Sequence, residues 1–268
     1  MVRAMKAILF AALCAASCAP SRTTMARYPN AAPAFDRAKS DPKAVEIADK
    51  VVAAAGGMDK WNAVKQIRWG EVITNDGKPV FDGEEAWDRW NARAYGRLIQ
   101  SEADGVVRRE IYGEGHEAYA EMAGRKQKLE PKDTEAALKV AVERWQFDSA
   151  VLCAPFLLEE VGSHIDYVGK AQGDAGPLEV LKLTFDPNDK ARAGTAYQID
   201  VDPTTFMIAR IEIIKEGGNI GYKSSGYIDV KGMKFPTVEN NIGLPGEVFT
   251  FKNIAIGEPD DALYQLSF

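Results

Sequence analysis

Apolar and polar residues follow two different periods along the chain. In SDPKAVEIADKVVAAAGG (residues 40–57) apolar positions recur every three or four residues, which predicts an amphipathic helix. Both ends of this helix are marked. Ser40 or Asp41 can cap its first turn, and the glycine pair Gly56-Gly57 can end its last. The segment MDKWNAVKQI then predicts one more helical turn before the chain enters a strand.

From about residue 66 to residue 128 the pattern changes to period two. Turn signals such as NDGKP, SEADG and GEGH separate the alternating segments QIRWGEVIT, PVFDGEEAWDRW, RAYGRLIQ, GVVRREIYG and EAYAEMAGRKQKL. Alternation bounded by such turns is typical of consecutive antiparallel strands. We therefore predict a meander of strands in this part of the chain.

Residues 132–160 return to helical spacing. We expect a helix capped by Asp133 or Thr134, followed by a second short helix that Pro155 interrupts. This is the longest apolar-rich helical stretch after the N-terminal leader. It falls between two runs of strands, so it can lie across one face of a sheet.

Seven further strand segments fill the region from residue 165 to residue 257, from IDYVGKAQ to EVFTFKNIAIG. The pattern gives about 11 or 12 strands and three helical segments in an α+β fold. No strand–helix–strand alternation is present, which disfavours a parallel nucleotide-binding sheet.

Composition narrows the class of partner. The chain is 46% hydrophobic and 27% charged, as is ordinary for a folded domain, and its formal net charge is −6. Removing a leader that holds Arg3 and Lys6 would leave 31 basic and 39 acidic residues, a net charge of −8. Nucleic-acid affinity comes mainly from Lys and Arg, so we predict no nucleic-acid partner.

The N-terminus has the pattern of a bacterial export signal. Arg3 and Lys6 precede an apolar run, Ala7–Ala16, that is too short to span a bilayer. We predict a lipoprotein-type signal peptide over residues 1–17, with Cys18 of AASC as the acylated anchor to the membrane. The match to a bacterial lipobox is partial, because Ala15 replaces the leucine that is usual three residues before the cysteine. Plain cleavage to a secreted protein remains the alternative.

Residues 18–40 and 41–268 differ in composition. The first are rich in Ala, Pro, Ser and Thr without an apolar period, which predicts a flexible tether, and the second form one domain. Ala19 follows the anchor, and by resemblance to bacterial lipoproteins it implies sorting to the outer membrane. We therefore expect a periplasmic protein of the bacterial envelope, anchored to the outer membrane.

Motifs for catalysis or metal binding are absent from the sequence. The only histidines, His116 and His164, lie outside metal motifs, and no G-x-S-x-G elbow occurs. The acidic segment between Asp82 and Asp88 allows a catalytic carboxylate pair, but we interpret it as a solvated strand edge. Cys153 has apolar neighbours and is predicted to be a buried thiol. We predict no catalytic residue, no metal and no cofactor.

Aromatic and apolar side chains are what remains distinctive. If the strands curl and the helices cover one side, eight of them would converge and line a cavity for acyl chains. The same residues could instead form an ordinary core, and the sequence does not separate these cases. The candidate cavity residues are Trp69, Trp87, Trp90, Trp145, Phe147, Leu152, Phe156 and Leu157.

The order of these parts resembles the bacterial LolA/LolB-like superfamily over roughly residues 43–268. The resemblance rests on AAAGGMDKWNAVKQI, AWDRWNARAYGRL, VLKLTFDP, YQIDVDPTTFMIARI, DVKGMKFPTVE and PDDALYQLSF. It implies a curved antiparallel sheet, an incomplete β-barrel of about 11 strands, with helices as a lid over its concave face. Relatives hold lipid or lipoprotein acyl chains there. One departure is the predicted anchor, which suits a resident receptor better than a free shuttle.

Three functions follow as hypotheses. The first is a periplasm-facing, non-catalytic protein that binds lipid or lipoprotein acyl chains in a hydrophobic cavity. The second is an envelope interaction protein with a filled core and a protein partner. The third is a hydrolase whose site would need His164 or the carboxylates of residues 82–88 to converge in a cleft.

Overall fold

A computed structural model describes residues 35–264, apart from residues 92, 102–105, 113–116, 123–124, 129, 188–193 and 215–217. The predicted signal peptide, Cys18 and His116 lie outside the described residues. Residues 35–40, the end of the predicted tether, are packed onto the domain. Phe35 packs against the core, and the backbone N–H of Ile165 donates to the Ser40 hydroxyl at 3.1 Å.

The helices confirm most of the predicted helical pattern. Asp41 caps the first of them by accepting hydrogen bonds from the backbone N–H groups of Lys43 and Ala44, and Gly56 ends it with a positive φ of 121°. The described residues contain four α-helices, α1 Pro42–Ala55, α2 Met58–Ala63, α3 Pro131–Leu152 and α4 Ala154–Leu157. Two short 3-10 helices, Arg37–Lys39 and Asp261–Tyr264, lie near the two ends of the described chain.

Helix α3 begins earlier than the predicted cap. Its N-cap is Glu130, without a side-chain capping bond, and Pro131 occupies the first turn, where a missing N–H costs nothing. Asp133 therefore lies inside the first turn. Helix α3 is separated from α4 at Cys153. Pro155 has no backbone N–H to donate, so it is accommodated in the first turn of a new helix.

Fifteen strands are present in the described chain. They are β1 Gln66–Asn75, β2 Lys78–Asp88, β3 Arg93–Ser101, β4 Val106–Tyr112, β5 Glu117–Met122, β6 Arg125–Lys128, β7 Ser163–Gln172, β8 Pro177–Phe185, β9 Ala196–Val201, β10 Ile208–Ile214, β11 Ile220–Ser225, β12 Ile228–Val230, β13 Met233–Phe235, β14 Val238–Asn241 and β15 Glu247–Gly257.

Thirteen of these strands form one antiparallel sheet in the order β6-β5-β4-β3-β2-β1-β15-β14-β11-β10-β9-β8-β7. Its end strands β6 and β7 do not pair with each other within the described chain, so the sheet is open, as an incomplete barrel requires. Strands β12 and β13 form a separate two-stranded ribbon. The predicted α+β class and open antiparallel sheet are confirmed.

The strand count exceeds the expected 11 or 12 because three of the twelve predicted segments each contain two strands. Segment MKFPTVENNI is divided into β13 and β14 at Pro236, which cannot donate a ladder hydrogen bond. Segment IGYKSSGYIDV is divided into β11 and β12 at Gly226, whose φ is +66°. Segment EAYAEMAGRKQKL forms the hairpin pair β5 and β6.

The helices all lie on one side of the large sheet, and we call this side the helix-covered face. Helix α1 packs against β7, β13 and α4, whereas α3 lies across β3, β4 and β5. One continuous apolar cluster joins α1, α2, the end of α3 and α4 to the inward-facing side chains of the sheet. On the opposite face, a small cluster of Ala86, Tyr95 and Tyr264 packs the C-terminal 3-10 helix against β2 and β3.

No helix in the described part of the chain is both long and apolar enough to span a membrane.

Candidate functional site

Aromatic rings form a chain of contacts between the helices and the sheet. Phe156 of α4 stacks on Trp61 of α2, with ring centroids 4.6 Å apart and an interplanar angle of 7°. Trp61 meets Trp87 of β2 edge to face at 6.1 Å, and Trp87 meets Trp145 of α3 in the same way at 5.4 Å. The chain of rings therefore runs from the fully packed core to the place where α3 crosses the sheet.

A second group of rings lies beside the first, where the end of α3 faces the middle of the sheet. Phe147 is 5.4 Å from Tyr222 of β11 and 5.7 Å from Phe249 of β15, measured between ring centroids. Tyr222 and Phe249 are themselves in edge-to-face contact at 5.1 Å. These contacts join α3 to strands that are far apart in sequence.

The candidate cavity residues divide by burial. Trp69, Leu152, Phe156 and Leu157 are buried and belong to the core cluster. By contrast, the rings of Trp87, Trp145 and Phe147 are only partly buried where they pack against that cluster.

The structure does not bring Trp90 into this cluster. It lies in the turn after β2, with the Lys65 ammonium 5.0 Å from its ring centroid.

Arg89 holds two of the tryptophans in place. Its guanidinium lies 3.8 Å from the Trp61 ring centroid and 5.4 Å from that of Trp87, and it donates to the backbone carbonyl oxygens of Trp61 and of Val64, the latter at 3.1 Å. Burial lowers the pKa of Arg89 to about 10, against the opposing effect of the Glu160 carboxylate. The group remains a cation at neutral pH, and it stacks on the rings as a rigid plane.

Charged side chains are buried beneath α3, close to these rings. Arg144 of α3 donates to both carboxylate oxygens of Glu71 on β1, and its Nε lies 2.7 Å from Oδ2 of Asp148, one turn further along the helix. The guanidinium also lies between 4.9 and 5.4 Å from the ring centroids of Phe81, Phe147 and Phe249. Glu71 is 1% exposed and Asp148 is fully buried.

A third carboxyl group completes this cluster. Glu85 of β2 is 4% exposed and hydrogen-bonds to Asp148, so one of the two carboxyls must donate a proton to the other. Burial raises the pKa of Asp148 to about 6, although Arg144 and Glu85 act to lower it. We call Glu71, Glu85, Asp148 and Arg144 the α3 charge cluster.

Another buried carboxyl lies further along the same face. Glu239 of β14 is 1% exposed, pairs with Phe249 across the strands and accepts a hydrogen bond from the Ser224 hydroxyl at 2.8 Å. Burial raises its pKa to about 8, while the Ser224 hydroxyl lowers it. Burial also raises the pKa of the nearby Tyr222 hydroxyl.

The interpretation of Asp82–Asp88 as a solvated edge is wrong for two of its residues. Strand alternation and helix packing put Glu85 under α3, whereas Asp88 is buried on the opposite face, where it accepts from Arg93 at 2.8 Å. Glu84 stays exposed. The carboxylates thus point to opposite sides of β2 rather than converging, and His164 lies on the distant edge strand β7.

Cys153 is a free, fully buried thiol, as predicted, and burial raises its pKa. Within the part of the chain that the structure describes, no three His, Cys, Asp or Glu side chains are grouped so that they could hold a metal ion.

Sequence reasoning missed the α3 charge cluster, although one signal was present. Ile67, Trp69 and Ile73 alternate along β1, and Glu71 occupies the same face in the middle of that apolar row. A carboxylate in such a position is either exposed or paired, and the pairing partner comes from α3, more than 70 residues away.

Comparisons with known proteins give the fold. No protein-family model matches this chain, and no curated protein matches it. Among solved structures, it is similar to a DUF1329 family protein from Desulfovibrio piger, with a TM-score of 0.50 and 13% identity over 84% of this chain and 98% of that one. It is also similar to a LolA superfamily protein from Nitrosomonas europaea, with a TM-score of 0.39 and 11% identity over 83% of this chain and 97% of that one.

The likeness to the DUF1329 protein covers nearly all of that chain, so the two share one architecture. Together with the open sheet and its helical cover, it agrees with the LolA-like fold that the sequence resemblance implied. At 13% identity, this similarity supports a shared fold and no statement about function.

Proposed function

We propose that this protein binds the acyl chains of a lipid or lipoprotein on the helix-covered face, where α3 meets β1, β2 and β15. It acts in the periplasm of the bacterial envelope, as a binding protein and not as an enzyme. The observation that carries this proposal is the partial burial of three neighbouring aromatic side chains, Trp87, Trp145 and Phe147, where they pack against the buried core cluster.

Partly buried aromatic rings at a helix–sheet boundary suit an apolar ligand. Each ring keeps apolar surface that a chain of methylene groups would cover, at about 0.8 kcal/mol per buried CH₂. An acyl chain has no hydrogen-bonding groups, so it needs no polar partners along its length. The resemblance to the LolA/LolB-like superfamily supports the same ligand class.

The test is a titration of the mature protein with a fluorescent fatty acid, together with native mass spectrometry of protein purified from its own host. We expect co-purifying lipid, and we expect Trp145→Ala to weaken binding about 5- to 30-fold, which corresponds to about 1–2 kcal/mol. Trp90→Ala is the matched control, because this tryptophan is also partly buried but lies outside the ring cluster.

Two results would contradict the proposal. One is host-purified protein that carries no bound lipid and also fails to bind the fluorescent fatty acid. This result would favour the interaction protein with a filled core. The other is a folded Trp145→Ala variant that binds as tightly as the Trp90→Ala control.

A further inference from the structure

Residues 35–40 lie against one edge of the large sheet, and we call them the N-terminal strap. The strand at this edge is β7, and both backbone groups of its Ile165 are satisfied here. The Ile165 N–H donates to the Ser40 hydroxyl at 3.1 Å, and its carbonyl oxygen accepts from the backbone N–H of Asp41, the residue after the strap, at 2.9 Å. Unpaired groups on an edge strand invite pairing with another chain, so the strap protects this part of the edge.

Arg37 fastens the strap to the domain. Its guanidinium donates to both carboxylate oxygens of Asp49 on α1, at 2.8 and 2.6 Å, and its Nη1 lies 4.0 Å from Oε1 of Glu159, which follows α4. Lys39, in contrast, pairs with Asp36 inside the strap at 3.4 Å. Arg37 is therefore the strap cation that links the strap to two other elements of the domain.

Asp49 and Glu159 are also hydrogen-bonded to each other, and we call them the strap carboxyl pair. One of the two carboxyls must carry a proton for this bond to form. The Arg37 guanidinium lowers the pKa of Asp49 through its hydrogen bonds. Burial raises the pKa of Glu159 to about 7, and the Asp49 carboxylate adds to this rise while Arg37 opposes it. Glu159 therefore holds the shared proton and loses it close to neutral pH.

The other charged groups beside the pair act on different partners. On α1, Glu46 pairs with Lys50 at 2.7 Å. The Glu160 carboxylate, next to Glu159 in the chain, raises the pKa of the buried Arg89 guanidinium. The charged groups that shift the pKa of Glu159 are thus its pair partner on α1 and the strap guanidinium.

Attachment of the strap is linked to the release of protons. With the strap attached, Arg37 lowers the pKa of both carboxyls in the pair. With the strap detached, this effect is lost and both carboxyls hold a proton up to a higher pH. The attached state therefore binds fewer protons, so attachment strengthens as the pH rises and Glu159 ionises around pH 7.

We propose that the N-terminal strap is a proton-controlled contact, which the strap carboxyl pair holds through Arg37 when both carboxyls are ionised and releases when the pair takes up protons. Detachment would add residues 35–40, about 20 Å of extended chain, to the predicted tether that follows Cys18. It would also expose the backbone groups of Ile165 at the edge of the sheet. This device does not involve the aromatic rings and is independent of the acyl-chain function.

The experiment measures amide hydrogen exchange at single residues in the full mature protein, at pH 6 and pH 8, after correction for the intrinsic effect of pH on exchange. The Asp41 amide reports attachment of the strap, and the Gly57 amide, which donates to Val52 at the far end of α1, is the internal reference. We expect the protection of Asp41 relative to Gly57 to be about 3-fold higher at pH 8 than at pH 6, as one partly exposed ion pair would give.

Two variants test the contact from its two sides. Glu159→Gln keeps the shape of the side chain but cannot ionise, so we expect the 3-fold effect of pH to vanish. Arg37→Gln removes the cation, so we expect weaker protection of Asp41 at both pH values and again no effect of pH. Glu46→Gln is the matched control, because it removes an exposed carboxylate of the same helix that is paired with Lys50, and it should keep the wild-type ratio.

The effect of pH distinguishes this device from a strap held by packing alone. Wild-type protection that is equal at the two pH values, or higher at pH 6, overturns the proposal. An effect of pH that persists in Glu159→Gln or in Arg37→Gln overturns it as well. Loss of the effect in both variants, with its retention in Glu46→Gln, supports it.

Discussion

Glu239 holds its proton at neutral pH because its carboxyl group is buried on the helix-covered face. Only the Ser224 hydroxyl among the described side chains donates to it, and this contact is too weak to offset the loss of water. The pKa of about 8 in the folded state is above the ordinary value of 4.5. At pH values between 4.5 and about 8, Glu239 is ionised in the unfolded chain but still protonated in the native state. The native state therefore binds more protons than the unfolded state.

This imbalance predicts a stability that falls as pH rises. The contribution of Glu239 is constant below its unfolded pKa and is lost progressively up to the folded value of about 8. We expect Glu239→Gln to be stabilised relative to the wild type by about 3 kcal/mol more at pH 8 than at pH 5. Urea unfolding at the two pH values measures this difference.

The control for this experiment is Glu258→Gln, a substitution of an exposed glutamate paired with Lys65. It should change stability little, because an exposed ion pair of this kind contributes little. A Glu239→Gln variant whose stability relative to the wild type is the same at pH 5 and pH 8 would show that Glu239 is ionised in the folded protein.

Single residues differ in how far the sequence predicts their role. The burial of Cys153 followed from its apolar neighbours, because nearly every side chain around it in the sequence also enters the core. The sequence did not predict the burial of Glu85, because the segment GEE near a turn has the composition of an exposed strand edge. What buries Glu85 is α3, which crosses β2 from a distant part of the chain, and no local pattern encodes that contact.

At the level of elements, the junction between α1 and α2 depends on two consecutive glycines with different constraints. Gly56 has a φ of 121°, and a Cβ there would lie 2.4 Å from the carbonyl oxygen of Gly232. Gly57 also has a positive φ of 92°, but a Cβ there would meet no described atom within 4 Å. The first position therefore combines backbone strain with a clash against backbone, and the second has strain alone.

We expect Gly56→Ala to destabilise the protein by more than about 3 kcal/mol and Gly57→Ala by about 1–2 kcal/mol. The midpoint of urea unfolding, with the slope checked for two-state behaviour, measures both values. Equal effects of the two substitutions would mean that the contact between the α1 terminus and the β12–β13 ribbon is not closely packed in solution.

The elements with strong local signals were the ones that the sequence predicted well. Helix α1 has its capping aspartate, its first-turn proline and its terminal glycine, and the structure has each in that role. The start of α3 was placed too late, because Asp133 is a good capping residue that tertiary packing does not use as one. The sequence pattern predicted a single strand where the structure has β13 and β14, since their apolar alternation continues through Pro236.

For the molecule as a whole, the sheet order explains how the candidate site is assembled. Strand β15 returns to pair with β1, which brings Phe249 beside the row of Trp69 and Glu71. Helix α3 then adds Arg144, Trp145 and Phe147 from between the two runs of strands. The sequence predicted the apolar half of this site from the aromatic residues, but the charged half depends on the register of β1 with β2 and on where α3 crosses them.

Attachment to the membrane is a property of the whole molecule that the described domain does not determine. The prediction rests on Cys18 within AASC, where acylation would supply two or more chains, enough for stable anchoring. We expect the wild type, expressed in its host, to fractionate with the outer membrane. Its mature N-terminus should be Cys18, with a mass raised by the acyl groups.

Cys18→Ala should remove the protein from the outer-membrane fraction, because the substitution removes the thiol that would carry the acyl chains. Cys14→Ala is the matched control, since that cysteine lies within the predicted leader and its loss should leave anchoring unchanged. Wild-type protein recovered as a soluble species, with an unmodified N-terminus at another residue, would contradict the anchor. It would indicate a freely diffusing carrier rather than a resident receptor, because an unanchored domain can move its ligand between membranes.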